Sequence, residues 1–313
     1  MKIISPIPGY LGSQAKDSAW LEDAFNKIGV KYFHDASAGG LAFPYYMARK
    51  GYEVTVSDIS AITYHTAKVL ITGPDSIDVD NVEPQSGYAT STGIFPEDIA
   101  KWIDGVILKY NGKKEEHTVK TTLVRTLIHF SFRGYSWDRK SLRSTTKDGF
   151  IKLFKEQYSK LVNTITPVGV NLNVLEPVDW KEAPFKYHSK GSVGENLFFI
   201  NPDLPFTDGK PFGHFTLYED IDSIIEQKKV KHPEPLTKNN VMDELNTIYD
   251  NVKKSGNYRY IAILFEDNAY PDSVTAVMWM QEKGNVMVVP SPGRYYSLGR
   301  QPHIVYLVIG SLL

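Results

Sequence analysis

The sequence predicts an α/β fold built on a mostly parallel sheet, and three observations carry this prediction. Residues 30–58 contain a strand, a small-residue loop, a helix and a second strand in direct succession, which is the building block of a doubly wound sheet. Residues 196–200 (NLFFI) are short and apolar throughout, as a central parallel strand should be. Two strand patterns, at 285–289 and 303–309, predict a reversed hairpin strand near the C-terminus.

The first of these units is preceded and followed by helices. Apolar residues at helical spacing predict a helix over 17–28, with Asp17 or Ser18 as its N-cap. Pro44 is compatible with a helix because it falls in a first turn, and Gly51 is a typical C-cap. The remaining predicted elements of this half are the strand 30–34, the loop 35–40, the helix 41–50, the strand 52–56 and the helix 59–72.

The middle of the chain interrupts this pattern. Residues 75–120 are rich in Asp, Gly, Ser and Pro, and the pair Asn111-Gly112 predicts a hairpin turn. An apolar stretch over 121–132 and a helix over 148–165 follow. We therefore predict that 75–165 is inserted into a sheet domain formed by 1–74 and 166–313. In the second part of that domain, strands are predicted at 170–175 and 258–265 and a helix at 237–255.

Composition excludes several kinds of site. The chain has 313 residues, a net charge of −1 and no cysteine, so disulfides, Cys-ligated zinc and thiolate nucleophiles are excluded. The histidines lack metal-ligand spacing, and no metal is expected. The first residues do not resemble a signal peptide, and no apolar run reaches the length of a membrane span. We expect a cytoplasmic protein that does not bind membranes; the oligomeric state stays open.

The loop after the first predicted strand is a candidate nucleoside site. Its small residues, Asp35-Ala-Ser-Ala38-Gly39-Gly40, allow a ligand to approach the backbone, and the next helix begins directly after it. Asp58 ends the second strand, where a carboxylate accepts both hydroxyls of a ribose. The loop lacks the phosphate-binding patterns GxxxxGK[ST] and GxGxxG. A nucleoside without phosphates, S-adenosylmethionine (SAM) above all, fits these residues better than ATP or a dinucleotide.

Together these segments resemble the Dam-like DNA adenine-N6 methyltransferases, whose motifs occur in the same order. The family's N-terminal element, an aromatic or Pro residue followed by a Gly-Gly or Gly-Ser-Lys element, matches Tyr10, Gly12 and Ser13. Its first SAM motif matches Asp35 to Gly40, its ribose acid matches Asp58, and its later acid-aromatic pair matches Asp179-Trp180. The resemblance covers about 5–60 and 170–310, and it implies a Rossmann-like SAM-dependent methyltransferase. The cofactor-binding residues that it implies are Tyr10, Gly12, Ser13, Asp35, Ala38, Gly39, Gly40, Asp58 and Asp179.

The catalytic motif of the family is Asp-Pro-Pro-Tyr, and this chain departs from it. Here the strand 196–200 leads into Asn201-Pro202-Asp203-Leu204. In the family, the first side chain and the following Pro carbonyl accept the two hydrogens of the target amine, and an Asn oxygen is also an acceptor. Asp203 adds a negative charge, and Leu204 lacks an aromatic face for a flipped base, although Phe206 or Phe212 is available nearby.

Because the catalytic motif is altered, three functions stay open. The first is methylation of adenine N6 in double-stranded DNA after base flipping, with 75–165 in the place of the family's target-recognition region. The second is a decayed methyltransferase-like protein that binds DNA or a protein partner, in which restoring Pro at 203 and Tyr at 204 would raise activity. The third is a related SAM enzyme that acts on RNA or on a modified base.

A basic stretch at 121–152 is the candidate DNA contact. Basic residues neutralise phosphates, and aromatic residues stack on bases or fill the gap that a flipped base leaves. Four aromatic residues, Phe130, Phe132, Tyr135 and Trp137, interleave with the charges. The predicted DNA-binding residues are Arg125, Arg133, Arg139, Lys140 and Arg143.

Overall fold

A computed structural model describes residues 3–10, 14–132, 136–187, 193–205, 215–293 and 303–312. Its strands are β1 (Tyr32–Asp35), β2 (Glu53–Val56), β3 (Ser131–Phe132), β4 (Ser136–Trp137), β5 (Leu172–Val174), β6 (Asn196–Ile200), β7 (Tyr260–Glu266), β8 (Val286–Pro290) and β9 (Val305–Ser311). Its helices are α1 (Ser18–Lys27), α2 (Ala42–Arg49), α3 (Ala61–Thr72), α4 (Tyr88–Thr92), α5 (Glu97–Tyr110), α6 (Glu116–His129), α7 (Arg139–Ser144), α8 (Lys147–Thr164), α9 (Ala183–Lys186), α10 (Phe215–Ile225), α11 (Val241–Ser255) and α12 (Ser273–Gln281).

The main sheet has seven strands in the order β5-β2-β1-β6-β7-β9-β8. The first five strands are parallel, and β9 runs antiparallel to both of its neighbours, β7 and β8. This arrangement confirms the predicted Rossmann-like α/β class with a reversed C-terminal strand. Chain order reverses between β1 and β6, so the sheet has its switch point there, which is where open α/β sheets bind ligands.

Alternate residues of the central strands face opposite layers. Leu197 and Phe199 of β6 pack in the layer that contains α1 and α2, whereas Phe198 and Ile200 pack in the layer that contains α11 and α12. Because a strand buried on both faces needs apolar residues at every position, this double burial explains the NLFFI pattern.

The segment 75–165 is more helical than its composition predicted. Trp102 of α5 and Phe150 of α8 pack in a third core, which also includes Ile221 of α10. The helix α5 was missed because Gly105 weakens the helical pattern. A Cβ at Gly105 would lie 2.2 Å from the Glu83 carbonyl oxygen, so glycine lets the preceding chain cross the helix closely.

The hairpin predicted at Asn111-Gly112 is wrong. These residues instead join α5 to α6. Gly112 has φ of +70°, so the turn does need the positive φ that the pair signals. The flanking residues have helical periodicity, and the same turn chemistry therefore connects two helices rather than two strands. No helix in the described ranges has the length and apolar character needed to cross a membrane.

Candidate cofactor and catalytic site

A cavity of about 330 Å³ opens at the carboxyl edge of the sheet. It lies where β1, β2, β5 and β6 end, because parallel strands deliver their following loops to one edge. Six of the residues predicted from sequence line it: Tyr10, Gly39, Asp58, Asp179, Asn201 and Asp203. The structure therefore brings together predicted cofactor residues and predicted catalytic residues that are far apart in the chain.

Asp58 organises the cofactor side of this cavity. Its two carboxylate oxygens accept hydrogen bonds from the backbone N–H groups of Gly39 at 2.9 Å and Ser60 at 3.0 Å. Burial raises the pKa of Asp58 to about 6, although these two hydrogen bonds oppose the shift. The carboxylate thus joins the loop after β1 to the loop after β2.

The two glycines of the loop lie against an aromatic ring. A Cβ at Gly39 would come 3.0 Å from the Tyr10 ring, and a Cβ at Gly40 would come 2.9 Å from the Tyr10 Cβ. Any larger residue would push Tyr10 away, so this contact requires glycine. The Tyr10 ring also stacks on Tyr218, with centroids 4.4 Å apart. Leu41, which follows, has φ of 63°, a strained conformation for leucine.

Asp35 and Ala38 lie beneath the loop rather than on the cavity surface. Ala38 is 1% exposed, and its N–H donates to the Ser57 carbonyl. Asp35 is fully buried, its Oδ1 accepts the Ser37 N–H at 3.1 Å, and Oδ2 has no hydrogen-bond partner among the described residues. Burial raises the pKa of Asp35 to about 8. Both side chains therefore face the protein interior and stabilise the loop instead of contacting a ligand.

The loop after β6 supplies the predicted catalytic residues. The Asn201 N–H donates to Ser37 Oγ at 2.7 Å, which ties this loop to the one after β1. Asn201 and Asp203 line the cavity. Pro202 is buried, and its carbonyl accepts the Leu204 N–H at 2.9 Å while keeping a second lone pair.

Leu204 packs into the core of the α11 layer and is 5% exposed. It therefore offers no stacking surface to a ligand in the cavity, as the sequence predicts.

Asp179 reaches the cavity from the loop after β5. The Val178 N–H donates to the Asp58 carbonyl at 2.9 Å, and the Lys181 N–H donates to Asp179 Oδ1 at 2.8 Å. Trp180 and Lys181 line the same side. The acid-aromatic pair is thus held beside Asp58.

Sequence reasoning missed a buried pair at this site, Asp222 of α10 and His232. Asp222 Oδ2 lies 2.7 Å from His232 Nε2, and Oδ1 accepts from Ser60 Oγ at 3.0 Å and from the Ile62 N–H at 2.9 Å. Burial lowers the pKa of His232, but the hydrogen bond to Asp222 and the charge of Asp58 outweigh it, so the pKa of His232 is raised. No motif flags these residues, which lie more than 150 positions after Asp58.

The lining of the cavity is acidic. It includes five carboxylate residues, Asp58, Asp179, Asp203, Glu234 and Glu244. Its two basic residues among the described ones, Lys181 and His232, are each paired with a carboxylate, Lys181 with Glu244 at 2.9 Å. A cavity with this charge favours a positively charged ligand. No group of three or more His, Asp or Glu side chains able to hold a metal occurs in the described residues.

The predicted DNA-binding residues divide into two groups. Arg125 is 5% exposed and donates to the Pro6 carbonyl at 2.5 Å, so it fastens the N-terminal segment to α6 and cannot reach a phosphate. Its assignment as a DNA contact is wrong. Arg139, Lys140 and Arg143 of α7 are exposed.

Phe132 of β3 is also on the surface, with 58% of its area exposed. On the paired strand β4, Trp137 lies opposite Ser131; it is half-buried and donates from Nε1 to Asp220 of α10 at 2.9 Å. Several residues named in the sequence analysis lie outside the described residues: Gly12, Ser13, Arg133, Tyr135, Phe206 and Phe212.

The chain is similar in sequence to a known methyltransferase. It is 22% identical over 325 residues to the type II methyltransferase M2.HphI of Haemophilus parahaemolyticus, covering 95% of this chain and 94% of that protein. No family model matches.

Two solved structures are also similar. A precorrin-8w decarboxylase from Methanobacterium thermoautotrophicum is 11% identical and covers 97% of this chain and 94% of its own, with a TM-score of 0.36. The human methyltransferase 10 domain-containing protein is 10% identical and covers 96% and 82%, with a TM-score of 0.37. The similarity to M2.HphI supports methyltransferase activity.

Proposed function

We propose that this protein is a SAM-dependent DNA methyltransferase that acts on adenine N6. The observation that carries the proposal is the shared cavity, which Gly39, Asp58 and Asp179 line together with Asn201. A transferase needs its donor and acceptor sites to meet, because the reacting atoms must approach to about 3–3.5 Å. The similarity to a type II methyltransferase over almost the whole chain supports the same class.

The residues of the cavity fit SAM. Asp58 suits the ribose hydroxyls, Asp179 suits the adenine amine, and the closely packed Gly39 lets the ligand approach the backbone. The excess of carboxylates suits the positive sulfonium group. SAM supplies an activated methyl group when bound, so the protein's task is to place and orient the acceptor amine.

Asn201 and Pro202 are the orienting groups. The Asn201 side-chain oxygen and the free lone pair of the Pro202 carbonyl accept the two amine hydrogens, which concentrates electron density on N6. Bound SAM would supply the methyl group to the oriented amine and would be left as a neutral thioether, and the proton that the methylated amine gives up would pass to water. Asp203 also lines the cavity and adds negative charge beside the amine as it becomes positive.

The surface around α7 is the proposed DNA contact. Arg139, Lys140 and Arg143 are exposed there, and Phe132 is exposed on the adjoining β3–β4 hairpin. The hydrogen bond from Trp137 to Asp220 connects this hairpin to α10, which also carries Tyr218 in the cavity. Cations for the phosphates and an exposed apolar wedge suit an enzyme that extracts a base from duplex DNA.

The test is transfer of tritiated methyl from SAM to unmethylated duplex DNA, followed by digestion to nucleosides. We expect label in N6-methyldeoxyadenosine, a loss of at least about 100-fold in Asn201→Ala, and retained activity in Asn201→Asp, which keeps an acceptor oxygen. Asn163→Ala, an exposed asparagine on α8, is the matched control.

Other outcomes redirect the assignment. Label in RNA of the same sequence but not in DNA would contradict the DNA substrate. A folded protein that binds SAM yet transfers nothing would contradict the activity and favour the decayed, DNA- or protein-binding alternative. If Asp203→Pro with Leu204→Tyr then restored transfer, the altered motif would be the cause.

A further inference from the structure

The inference concerns the segment 229–236 (KVKHPEPL), called here the strap, which forms one wall of the cavity. Half of the strap's residues are exposed, and two of its side chains, His232 and Leu236, are buried. Leu236 packs in the core beside α11, and His232 is held by α10. The three residues between these anchors, Pro233, Glu234 and Pro235, line the cavity.

The strap's course depends strongly on its first anchor. The His232 backbone N–H donates to Glu219 Oε2 at 3.0 Å, and its ring bonds to Asp222. The Val230 N–H donates to Ser223 Oγ at 2.9 Å. Pro233 and Pro235 have fixed φ angles, so the chain between His232 and Leu236 has little freedom and the position of His232 determines that of the cavity wall.

Asp222 joins this strap to the cofactor loop. Its Oδ1 accepts from Ser60 Oγ and the Ile62 N–H, while Oδ2 bonds His232. The Ser60 N–H in turn donates to Asp58 Oδ1. One fully buried carboxylate, with 0% of Asp222 exposed, therefore holds two walls of the cavity at a fixed separation.

We propose that Asp222 is a positioning residue for the cofactor, which fixes the Asp58 loop and, through His232, the strap that encloses the bound ligand. This inference rests on the proposed function, since the ligand is SAM. Asp222 itself does not line the cavity, so it acts through Ser60 and His232 rather than by touching the ligand. It predicts that weakening either bond lowers SAM affinity without disabling the transfer step at Asn201.

The experiment is calorimetric titration with SAM, combined with KM and kcat for methyl transfer. We expect Asp222→Asn to raise the dissociation constant and the KM for SAM by about 10-fold or more, with kcat within about 3-fold, because a buried charge-assisted bond is lost. Asp220→Asn is the matched control, a carboxylate on the same helix that bonds Trp137 instead, and its SAM affinity should equal wild type.

A second pair of variants keeps the test decisive if Asp222→Asn does not fold. His232→Gln retains an N–H donor for Asp222, whereas His232→Ala does not. We expect Gln to bind SAM within about 3-fold of wild type and Ala to bind about 10-fold more weakly, at similar melting temperatures.

Three results are distinguishable. The pattern above supports the positioning role. Wild-type affinity for SAM in folded Asp222→Asn or His232→Ala overturns the inference and leaves the proposed function standing. A wild-type protein that does not bind SAM overturns the proposed function and, with it, the inference.

Discussion

The carboxyl edge of the sheet and the basic stretch 121–152 use charge in opposite ways. At the sheet edge, Asp35 and Asp222 are buried and Asp58 is half-buried, and Asp58 and Asp222 join neighbouring segments through hydrogen bonds. In the basic stretch, Arg139 and Arg143 are exposed. The role of a charged residue can therefore be predicted only when its secondary-structure element is known. Residues at the ends of parallel strands meet at one edge of the sheet, whereas residues of a helix point in different directions around its axis.

Arg125 illustrates the second half of that comparison. It belongs to the same run of basic residues as Arg139, but it lies in the middle of α6, where the face it occupies is covered by the N-terminal segment. Burial lowers the pKa of Arg125 to about 10, and its Nε has no partner among the described residues. Arg125 therefore stabilises the fold, whereas the exposed basic residues of α7 are accessible to DNA.

The largest effect is expected on DNA affinity when the exposed cations of α7 are removed. Replacing Arg139, Lys140 and Arg143 together by Ala should flatten the slope of log K against log salt by about 3, since each phosphate contact contributes about 0.9. Measured by fluorescence anisotropy on duplex DNA, this corresponds to a loss of about 10-fold or more in affinity at low salt.

Arg125→Ala is the contrasting variant. It should keep the wild-type salt slope and lower the free energy of unfolding by about 1–3 kcal/mol, because the Pro6 carbonyl loses its buried donor. Each α7 substitution should change that free energy by less than about 0.5 kcal/mol. An unchanged salt slope in the triple variant, or a flattened one in Arg125→Ala, would refute the division into exposed and buried cations.

A smaller effect is expected at the sheet edge, where buried carboxylates oppose folding. The folded-state pKa of Asp35 is about 8, whereas that of an unfolded aspartate is about 3.9, so the folded state binds more protons between these values. Stability from this group is therefore lost as pH rises from about 4 to about 8.

Asp35→Asn removes this loss while keeping the acceptor for the Ser37 N–H. Urea unfolding at pH 8.5 should show the variant more stable than wild type by at least about 1 kcal/mol, with a smaller difference at pH 5, since one pKa unit equals about 1.4 kcal/mol. Asp148→Asn, an exposed acid on α8, should show no such pH dependence. Equal stabilities of wild type and Asp35→Asn at both pH values would contradict the cost assigned to Asp35.

The sequence predicts the sheet edge well for a physical reason. Asp58 was predicted as the acid at the end of a strand, whereas Asp179 and Asn201 were predicted from the family resemblance. All three lie in loops that follow strands of the parallel sheet, and such strands bring their following loops to one edge whatever their distance in the chain. The same reasoning predicts that Gly39 and Gly40 allow close approach, although their partner, the Tyr10 ring, emerges only from the structure.

The contacts missed from sequence are those made by helices and loops across the cavity. Asp222 and His232 lie on a helix and on an irregular segment, and no periodicity shows that they meet or that they reach Ser60. The pair Asn111-Gly112 is a related case, because its turn signal is genuine but does not determine which elements it joins. Tertiary packing supplies this information.

The central claim is that the cavity at the sheet edge binds SAM, and calorimetric titration of wild type and Asp58→Ala tests it most directly. We predict one SAM bound per chain in wild type and at least about 10-fold weaker binding in Asp58→Ala, because an acceptor for the ribose and for the Gly39 N–H is lost. Asp148→Ala should bind as wild type does. No binding by the folded wild-type protein, or equal affinity in Asp58→Ala, would contradict the claim.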